Sequence, residues 1–141
     1  MSPQRIDECL IHFFKKISEP FSRYVLFVVF FWFGVLKVLG LSPATELVQH
    51  LFETTIPFVT FPIFLVLFGV FECLIGLLFL VHKCERLVIG LLFIHMFATF
   101  LPLLLLGQET WSGVFIPTME GQYIIKNLVI MALAIGIASH L

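Results

Sequence analysis

Hydrophobic residues fill four long segments of the chain, and polar residues collect in the short stretches between them. The four segments are 21–41, 56–81, 87–106 and 123–141. Each is near or above the roughly 20 residues that an α-helix needs to cross about 30 Å of hydrocarbon. Polar side chains form no stripe along them, as they would in a water-soluble bundle. The pattern therefore predicts an all-α fold, an integral membrane four-helix bundle in which residues 1–141 form a single four-span transmembrane domain.

Two stretches outside the spans carry apolar residues at helical spacing on one side and charged residues on the other. The first ends at Glu19–Pro20, and the second begins at Ser42–Pro43, a favourable cap and first-turn pair. The pattern predicts short interfacial helices before and after the first span. Two roles remain open for them: plain anchoring at the membrane surface, or service as a lid or partner surface.

The composition supports the membrane class and removes several others. Hydrophobic residues make up 60% of the chain and charged residues 12%, with a net charge of -1 and no basic face for nucleic acid. The sequence contains no P-loop, dinucleotide-binding glycine motif, flavin motif or metal-ligand set. Cys9, Cys73 and Cys84 form no CxxC pair and are expected to be structural thiols.

Basic residues are distributed unevenly around the spans. They lie before or at the start of the first span and between the second and third, at Arg5, Lys15, Lys16, Arg23, Lys83 and Arg86. The other two connections contain no Lys or Arg. By the positive-inside rule, the sequence predicts that both termini are cytoplasmic.

Ionisable side chains lie well inside three of the spans, at Lys37, Glu72 and His95. A charge near the middle of a bilayer costs roughly 2.5 to 3.5 kcal/mol on the lenient insertion scale, so such residues persist where they pair, line a cavity or do chemistry. At about 1.5 Å per residue, Glu72 and His95 fall at similar depth, and the four-carbon stem of Lys37 can reach toward Glu72. The spacing therefore allows a Lys37–Glu72 ion pair and a contact between Glu72 and His95.

Further polar residues extend this cluster into a candidate column. Lys126 and Asn127 in the fourth span come out level with Lys37, and Thr99 shares a helix face with His95. The column is interpreted as a ligand site. Two alternatives remain open: the buried charges only fix the register of the helices, and Lys126 extends to the interface instead of facing the site.

Glycines stand beside two of the charged positions. Gly34 precedes Lys37 by three residues, and Gly69 and Gly76 stand on either side of Glu72. Small residues at this spacing let another helix approach closely. The faces that carry Lys37 and Glu72 are therefore expected to point into the bundle.

Three stretches, in their order along the chain, resemble the DoxX-like superfamily of small four-span membrane proteins, which includes the reactive-chlorine-resistance membrane proteins. They are "FFWFGVLKVLG" in the first span, "FGVFECLIGLLF" around Glu72 and "EGQYIIKNLVIMALA" at the start of the fourth span. The resemblance covers nearly all of residues 21–141. It implies a four-helix bundle of the bacterial cytoplasmic membrane, and the matching positions are Gly34, Lys37, Glu72, Gly121, Lys126 and Asn127.

Two function classes follow from the resemblance and from the buried charges. In the first, the protein is an accessory subunit of a redox-linked system, and a pocket bounded by Lys37, Glu72, His95 and Lys126 accepts a quinone headgroup between aromatic walls such as Trp32. In the second, it is a membrane interaction or chaperone-type protein whose buried charges are structural. The expected partners are the lipid bilayer, a membrane or soluble oxidoreductase and further copies of this chain. The redox-linked function is favoured, with a quinone as the candidate cofactor.

Overall fold

Helices make up nearly all of the structure, a computed structural model that describes residues 3–141. In chain order the elements are α1 (Pro3–Val38), α2 (Thr45–Thr55), α3 (Phe61–Phe79), a single 3₁₀ turn (His82–Cys84), α4 (Glu85–Phe100), α5 (Pro102–Leu105), α6 (Gly107–Thr110), β1 (Trp111–Gly113), β2 (Ile116–Pro117) and α7 (Met119–Ala138). The strands β1 and β2 form one antiparallel hairpin.

Within the described residues, four helical stretches are long and apolar enough to cross a membrane: Gln4–Val38, Phe61–Phe79, His82–Leu105 and Met119–Ala138. They correspond to α1, α3, α4 with α5, and α7. The predicted all-α four-helix fold is therefore confirmed, and the protein is a small integral membrane protein.

The second and fourth spans begin several residues from their predicted starts. The second span was expected from residue 56, but α3 begins at Phe61, and Pro62 stands in its first turn, where a missing N–H leaves no helical bond broken. The fourth span was expected from residue 123, but α7 begins at Met119 because the Thr118 hydroxyl accepts a hydrogen bond from the Gly121 N–H and caps the helix.

A single continuous helix, α1, replaces the predicted interfacial helix and first span. The expected end at Glu19–Pro20 is wrong, since Pro20 lies inside the helix. A proline removes one backbone donor, which leaves the Lys16 carbonyl without its ordinary partner while the remaining bonds continue on both sides. At about 1.5 Å per residue, the 36 residues of α1 extend roughly 54 Å, more than the hydrocarbon thickness. The N-terminal part therefore projects beyond the bundle with exposed apolar side chains such as Leu10 and Phe13.

The chain turns sharply between α1 and α2. Gly40 adopts a left-handed conformation with φ of 70°. The hydrogen bonds around it are those of a Schellman motif, which ends α1. The predicted start of the second amphipathic helix at Ser42–Pro43 moves to Thr45, whose hydroxyl donates to the Ser42 carbonyl. The helix α2 is amphipathic, as expected, and buries a single residue, Phe52.

The apolar core occupies one half of the bundle. It contains the buried residues Leu26, Phe30, Ile75, Phe79, Val88, Leu92, Met96, Ala134 and Ile137. Most of these residues lie toward the end at which the 3₁₀ turn joins α3 to α4, and Lys83 and Arg86 lie in and just after that turn. We call the end of the bundle at this 3₁₀ turn the basic end. We call the opposite end, which α2 covers, the α2 end. The core therefore fills the half of the bundle next to the basic end.

Candidate functional site

Glu72 uses both of its carboxylate oxygens to connect three spanning helices. Its Oε2 accepts a hydrogen bond from Lys37 Nζ at 2.7 Å, and its Oε1 lies 2.8 Å from His95 Nε2. Lys37 is 7% exposed, and Glu72 and His95 are each 4% exposed. The two contacts that the sequence allowed are therefore both present. We call these three residues the triad.

A close approach of α1 and α3 makes the first of these contacts. A Cβ added to Gly34 would lie 2.5 Å from the carbonyl oxygen of Gly69, and one added to Gly69 would lie 2.6 Å from that of Gly34. Neither position has space for a larger side chain, so the two backbones touch. Lys37 stands one turn after Gly34, and Glu72 stands three residues after Gly69. The expected inward orientation of both faces is therefore observed.

Aromatic rings surround the imidazole of His95. Phe68 is stacked on it, with ring centroids 5.1 Å apart and planes that differ by 9°, and Phe30 meets it edge-on at 5.3 Å. Lys37 Nζ lies 5.5 Å from the centroid of Phe68, a cation–π distance. Trp32 does not belong to this wall, since its side chain faces outward with 63% of its surface exposed.

The triad is electrically neutral when Lys37 is an ammonium ion, Glu72 a carboxylate and His95 an uncharged imidazole. This state places no net charge in the hydrocarbon. Because an ionised carboxylate only accepts hydrogen bonds, the hydrogen between Glu72 and His95 belongs to Nε2. The other ring nitrogen, Nδ1, then presents a free lone pair. Among residues 3–141 it has no hydrogen-bond partner, although it is buried.

Three predicted site residues, Lys126, Thr99 and Asn127, take no part in the hydrogen bonds of the triad. Lys126 is exposed on α7, and its Nζ lies 5.1 Å from the centroid of the Tyr123 ring. The Thr99 hydroxyl donates to the Met96 carbonyl at 2.9 Å, and Asn127 is half-buried on α7. The structure therefore places Lys126 outside the hydrogen bonds and ion pairs of the triad. The rise per residue gives the depth of a side chain but not the direction in which it points around the helix.

Gly121, a position matched by the family resemblance, has a structural role. It lies in the first turn of α7, against the connection that precedes the hairpin. An added Cβ would collide with the Thr110 carbonyl oxygen and would lie 3.0 Å from Pro117 Cβ. Thr110 itself is fully buried. Glycine at position 121 therefore allows α7 to begin against this connection.

A second buried charge, Arg23, was missed by sequence reasoning, which counted it only toward the topology. It is 3% exposed and donates to Glu19 at 3.0 Å, to Glu85, and to the Phe79 carbonyl at 3.4 Å. The signal that could have found it is Glu19 four residues earlier on the same helix face. Arg23 therefore joins α1 to the end of α3 and the start of α4 at the basic end.

Two surface clefts lie away from the triad. One, of about 460 Å³, is formed by apolar residues of α4 and α7, and the other, of about 180 Å³, lies between α1 and α7 beside Glu19. No triad residue lines either cleft, and Phe30 and Phe68 cover the imidazole of His95. Nδ1 is itself buried, so a ligand that binds it must displace a neighbouring side chain.

Comparisons of the chain with protein-family models, with curated proteins and with solved structures gave no match. The function proposed below therefore depends on the residues of this chain. Its main feature is a buried triad in which Nδ1 of His95 has no hydrogen-bond partner within residues 3–141.

Proposed function

We propose that the protein is an accessory subunit of a redox-linked membrane system and that its triad binds the headgroup of a quinone-like, lipid-soluble ligand in the reduced, hydroxyl-bearing form. The observation that carries this proposal is Nδ1 of His95, which is buried and has no partner in the described part of the chain while Nε2 contacts Glu72. A buried polar atom without a partner costs about 1 to 3 kcal/mol, so its presence needs an explanation. The O–H of a quinol is a donor of the kind that this nitrogen lacks.

The surroundings of His95 give it the properties of a general base. Glu72 accepts the Nε2 hydrogen, which fixes the tautomer and stabilises the imidazolium that forms when Nδ1 takes up a proton. In that step the quinol O–H bond breaks, an N–H bond forms at Nδ1, and the bonding electron pair stays on the oxygen. Lys37 Nζ donates a hydrogen bond to the other carboxylate oxygen of Glu72 at 2.7 Å. We assign oxidation of the resulting quinolate to a partner oxidoreductase, because the sequence contains no flavin or metal-binding motif.

The depth of the triad in the membrane determines which class of ligand can reach it. Glu72 and His95 lie within spanning helices whose outward faces are apolar, with exposed side chains such as Val70, Leu74 and Ile94. A headgroup that reaches them from the bilayer must be attached to a molecule that dissolves in lipid. An alkyl or prenyl tail would remain among the lipid chains while the ring meets the imidazole.

The same proposal includes the family and the cellular location. The order and spacing of the three DoxX-like stretches support membership of that superfamily, some members of which are accessory subunits of quinone-linked oxidoreductases. The basic residues support a cytoplasmic membrane protein with both termini in the cytoplasm. Contact between Arg23 and Glu85 is consistent with this, since it places the start of the first span beside the basic connection.

The test uses purified protein in detergent with decylubiquinol as the probe. We expect wild type to bind it, His95→Phe to bind it about tenfold or more weakly, and Lys126→Met to match wild type. Phenylalanine keeps the aromatic contacts and removes the nitrogen, and Lys126 is an exposed control outside the triad. Mass spectrometry of lipophilic molecules retained from the host membrane provides a second measurement. Equal binding by wild type and His95→Phe would contradict the proposal.

A second candidate function is a membrane interaction or chaperone-type protein in which the triad only locks the helices. The observation that favours it is the completeness of the Glu72 contacts at a crossing where the α1 and α3 backbones touch. It predicts that wild type binds no decylubiquinol. It also predicts that a membrane partner is captured equally by wild type and His95→Phe in a pull-down.

A further inference from the structure

The helix α2 lies over the α2 end of the bundle and is attached to it weakly. Of its eleven residues only Phe52 is buried, with 4% of its surface exposed. The remaining residues of α2 are half-buried or exposed. Elements with few buried side chains open at low free-energy cost relative to the whole fold. The helix therefore has the properties of a segment that can move while the four spans stay in place.

A continuous file of aromatic rings leads from α2 to the triad. The Phe52 ring lies 4.8 Å from that of Phe64, Phe64 lies 5.7 Å from Phe68, and Phe68 lies 5.1 Å from the His95 imidazole. The last two pairs are stacked, with interplanar angles of 10° and 9°. Phe52 is thus the ring that α2 contributes to a file whose innermost member is the candidate base, and it is more deeply buried than Phe64 or Phe68. Displacement of Phe52 would expose more of Phe64, the next ring in the file.

The other direction is closed by the core. Leu26, Ile75, Phe79 and Leu92 are each no more than 1% exposed and fill the bundle between the triad and the basic end. A polar headgroup or a water molecule that moved through this half would have to separate the best-buried side chains in the protein. Access along the aromatic file, at the α2 end, disturbs less buried surface.

A contact between His50 and Glu109 joins α2 to α6 at the α2 end. His50 Nδ1 on α2 lies 2.9 Å from Glu109 Oε1 on α6, and the two side chains are 51% and 38% exposed. The two residues are 59 positions apart in the sequence. The contact therefore holds α2 to the connection that precedes α7, at the α2 end of the bundle.

We propose that α2 is a lid over the triad, in which Phe52 is the plug of the aromatic file and the His50–Glu109 pair is the latch. The inference rests on the function proposed above, since it assigns the route by which a hydroxyl-bearing ligand, or its proton, reaches His95. Flanking segments supply the hinges. Gly40 is left-handed on one side, and residues 56–60 are non-helical on the other.

The latch is strongest when His50 is protonated. The groups that face His50 are Glu109 on α6 and Glu46 and Glu53 on α2, all of them carboxylates. The hydrogen bond to Glu109, and then its charge, raise the pKa of His50 above its ordinary value. A protonated imidazole pairs with Glu109 as an ion, and a neutral one keeps only a weaker hydrogen bond. The lid should therefore open more readily as the pH rises.

Labelling of a cysteine beneath the lid tests the proposal without any ligand. The parent carries Phe64→Cys in a background in which Cys9, Cys73 and Cys84 are alanine, and the probe is a trimethylammonium methanethiosulfonate. This permanently charged reagent approaches from water and not through lipid. Rates are compared between variants at the same pH, so that ionisation of the thiol affects all of them equally.

The labelling rates of three variants are compared with that of the parent protein. Phe52→Ala should label at least about tenfold faster, because the plug is gone. Glu109→Gln should label about two- to fivefold faster near pH 6 and approach the parent rate near pH 9. Glu53→Gln, which removes a neighbouring carboxylate but leaves the latch, is the matched control and should label at the parent rate.

Parent rates in both Phe52→Ala and Glu109→Gln would overturn the lid. Glu109 is partly exposed, so its variant keeps the test decisive if the Phe52 variant does not fold. Failure of the proposed function has a different signature, since it appears as loss of decylubiquinol binding by wild type while the labelling rates still follow the lid.

Discussion

Lys37 Nζ lies 2.7 Å from Glu72 Oε2, inside the bundle, and both side chains are at most 8% exposed. Thirty-five residues separate them along the chain. The two charges meet because the glycines of α1 and α3 bring the backbones into contact one turn away. The ion pair and the helix crossing therefore lie within one turn of each other on the same two helices.

The Lys37–Glu72 pair should appear as energetic coupling between the two positions. We expect Lys37→Leu to destabilise more than Glu72→Leu, because it leaves a buried carboxylate, whereas a lysine near the end of α1 can extend to the interface. The double variant should recover about 1 to 3 kcal/mol relative to the sum of the single variants. The double-mutant cycle is measured by thermal unfolding, in detergent, of wild type, the two single variants and the double variant. A control cycle of Glu72→Leu with Lys126→Leu should be additive, and additivity in the first cycle would exclude the pair as a stabilising unit.

The α1–α3 crossing should reject even one methyl group. Gly34→Ala and Gly69→Ala each place a Cβ within 2.6 Å of a facing carbonyl oxygen, so both should lower the unfolding temperature and loosen the triad. Gly90→Ala on α4 is the matched control, since a Cβ there meets nothing within 4 Å. That variant should be neutral or stabilised by about 0.5 to 1 kcal/mol. Equal unfolding temperatures for all three variants would contradict the close crossing.

The depth of the polar residues could be predicted from the sequence, because the rise per residue of a helix is fixed. Glu72 and His95 were placed at the same level, and they meet. The direction in which a side chain points could not be predicted for Lys126, which was placed level with Lys37 but faces outward beside Tyr123. The rotation of each helix about its axis is set by contacts with its neighbours, and a single sequence does not specify those contacts.

The number of spanning helices could be predicted from the sequence, but the continuity of the first helix through Pro20 could not. The proline at position 20 predicted a helix end, yet α1 continues through it. One reason for this continuity is the buried contact between Arg23 and Glu85, because that contact requires α1 to remain helical at the basic end. The file of aromatic rings from Phe52 to His95 could not be predicted from the sequence either, because it depends on how α2 packs over α3.

Removal of Arg23 should destabilise the basic end. Arg23→Met leaves the partly buried Glu85 without its cation and the Phe79 carbonyl without this donor, so we expect a loss of about 3 to 5 kcal/mol in the free energy of unfolding. Arg86→Met removes an exposed charge one residue from Glu85 and should cost less than about 1 kcal/mol. Denaturant titration of the two variants in detergent makes the comparison. Similar stabilities would mean that the buried contacts of Arg23 contribute little.

Surface labelling should place the α2 end outside the cell. The basic residues predict cytoplasmic termini, which puts α2 and the hairpin on the other side of the membrane. Single cysteines at Gln49 and Ser112, each in a background without the native thiols, should react with an impermeant maleimide added to intact cells. A chain that keeps only Cys84 should react after the membrane is opened. Labelling of Cys84 in intact cells would reverse the orientation.

The contact between His50 and Glu109 should stabilise the protein in a pH-dependent way. The hydrogen bond and charge of Glu109 raise the pKa of His50 above its unfolded value of 6.5. The folded state therefore holds the proton more tightly, and the stabilisation is fully present below that pH and is lost as the pH rises through the raised pKa. We expect wild type to unfold at a higher temperature than Glu109→Gln near pH 6, and the difference to shrink near pH 9. NMR titration of the His50 ring should give a lower pKa in Glu109→Gln than in Glu53→Gln. A difference in unfolding temperature that does not change with pH would show that the charge of His50 takes no part in the contact.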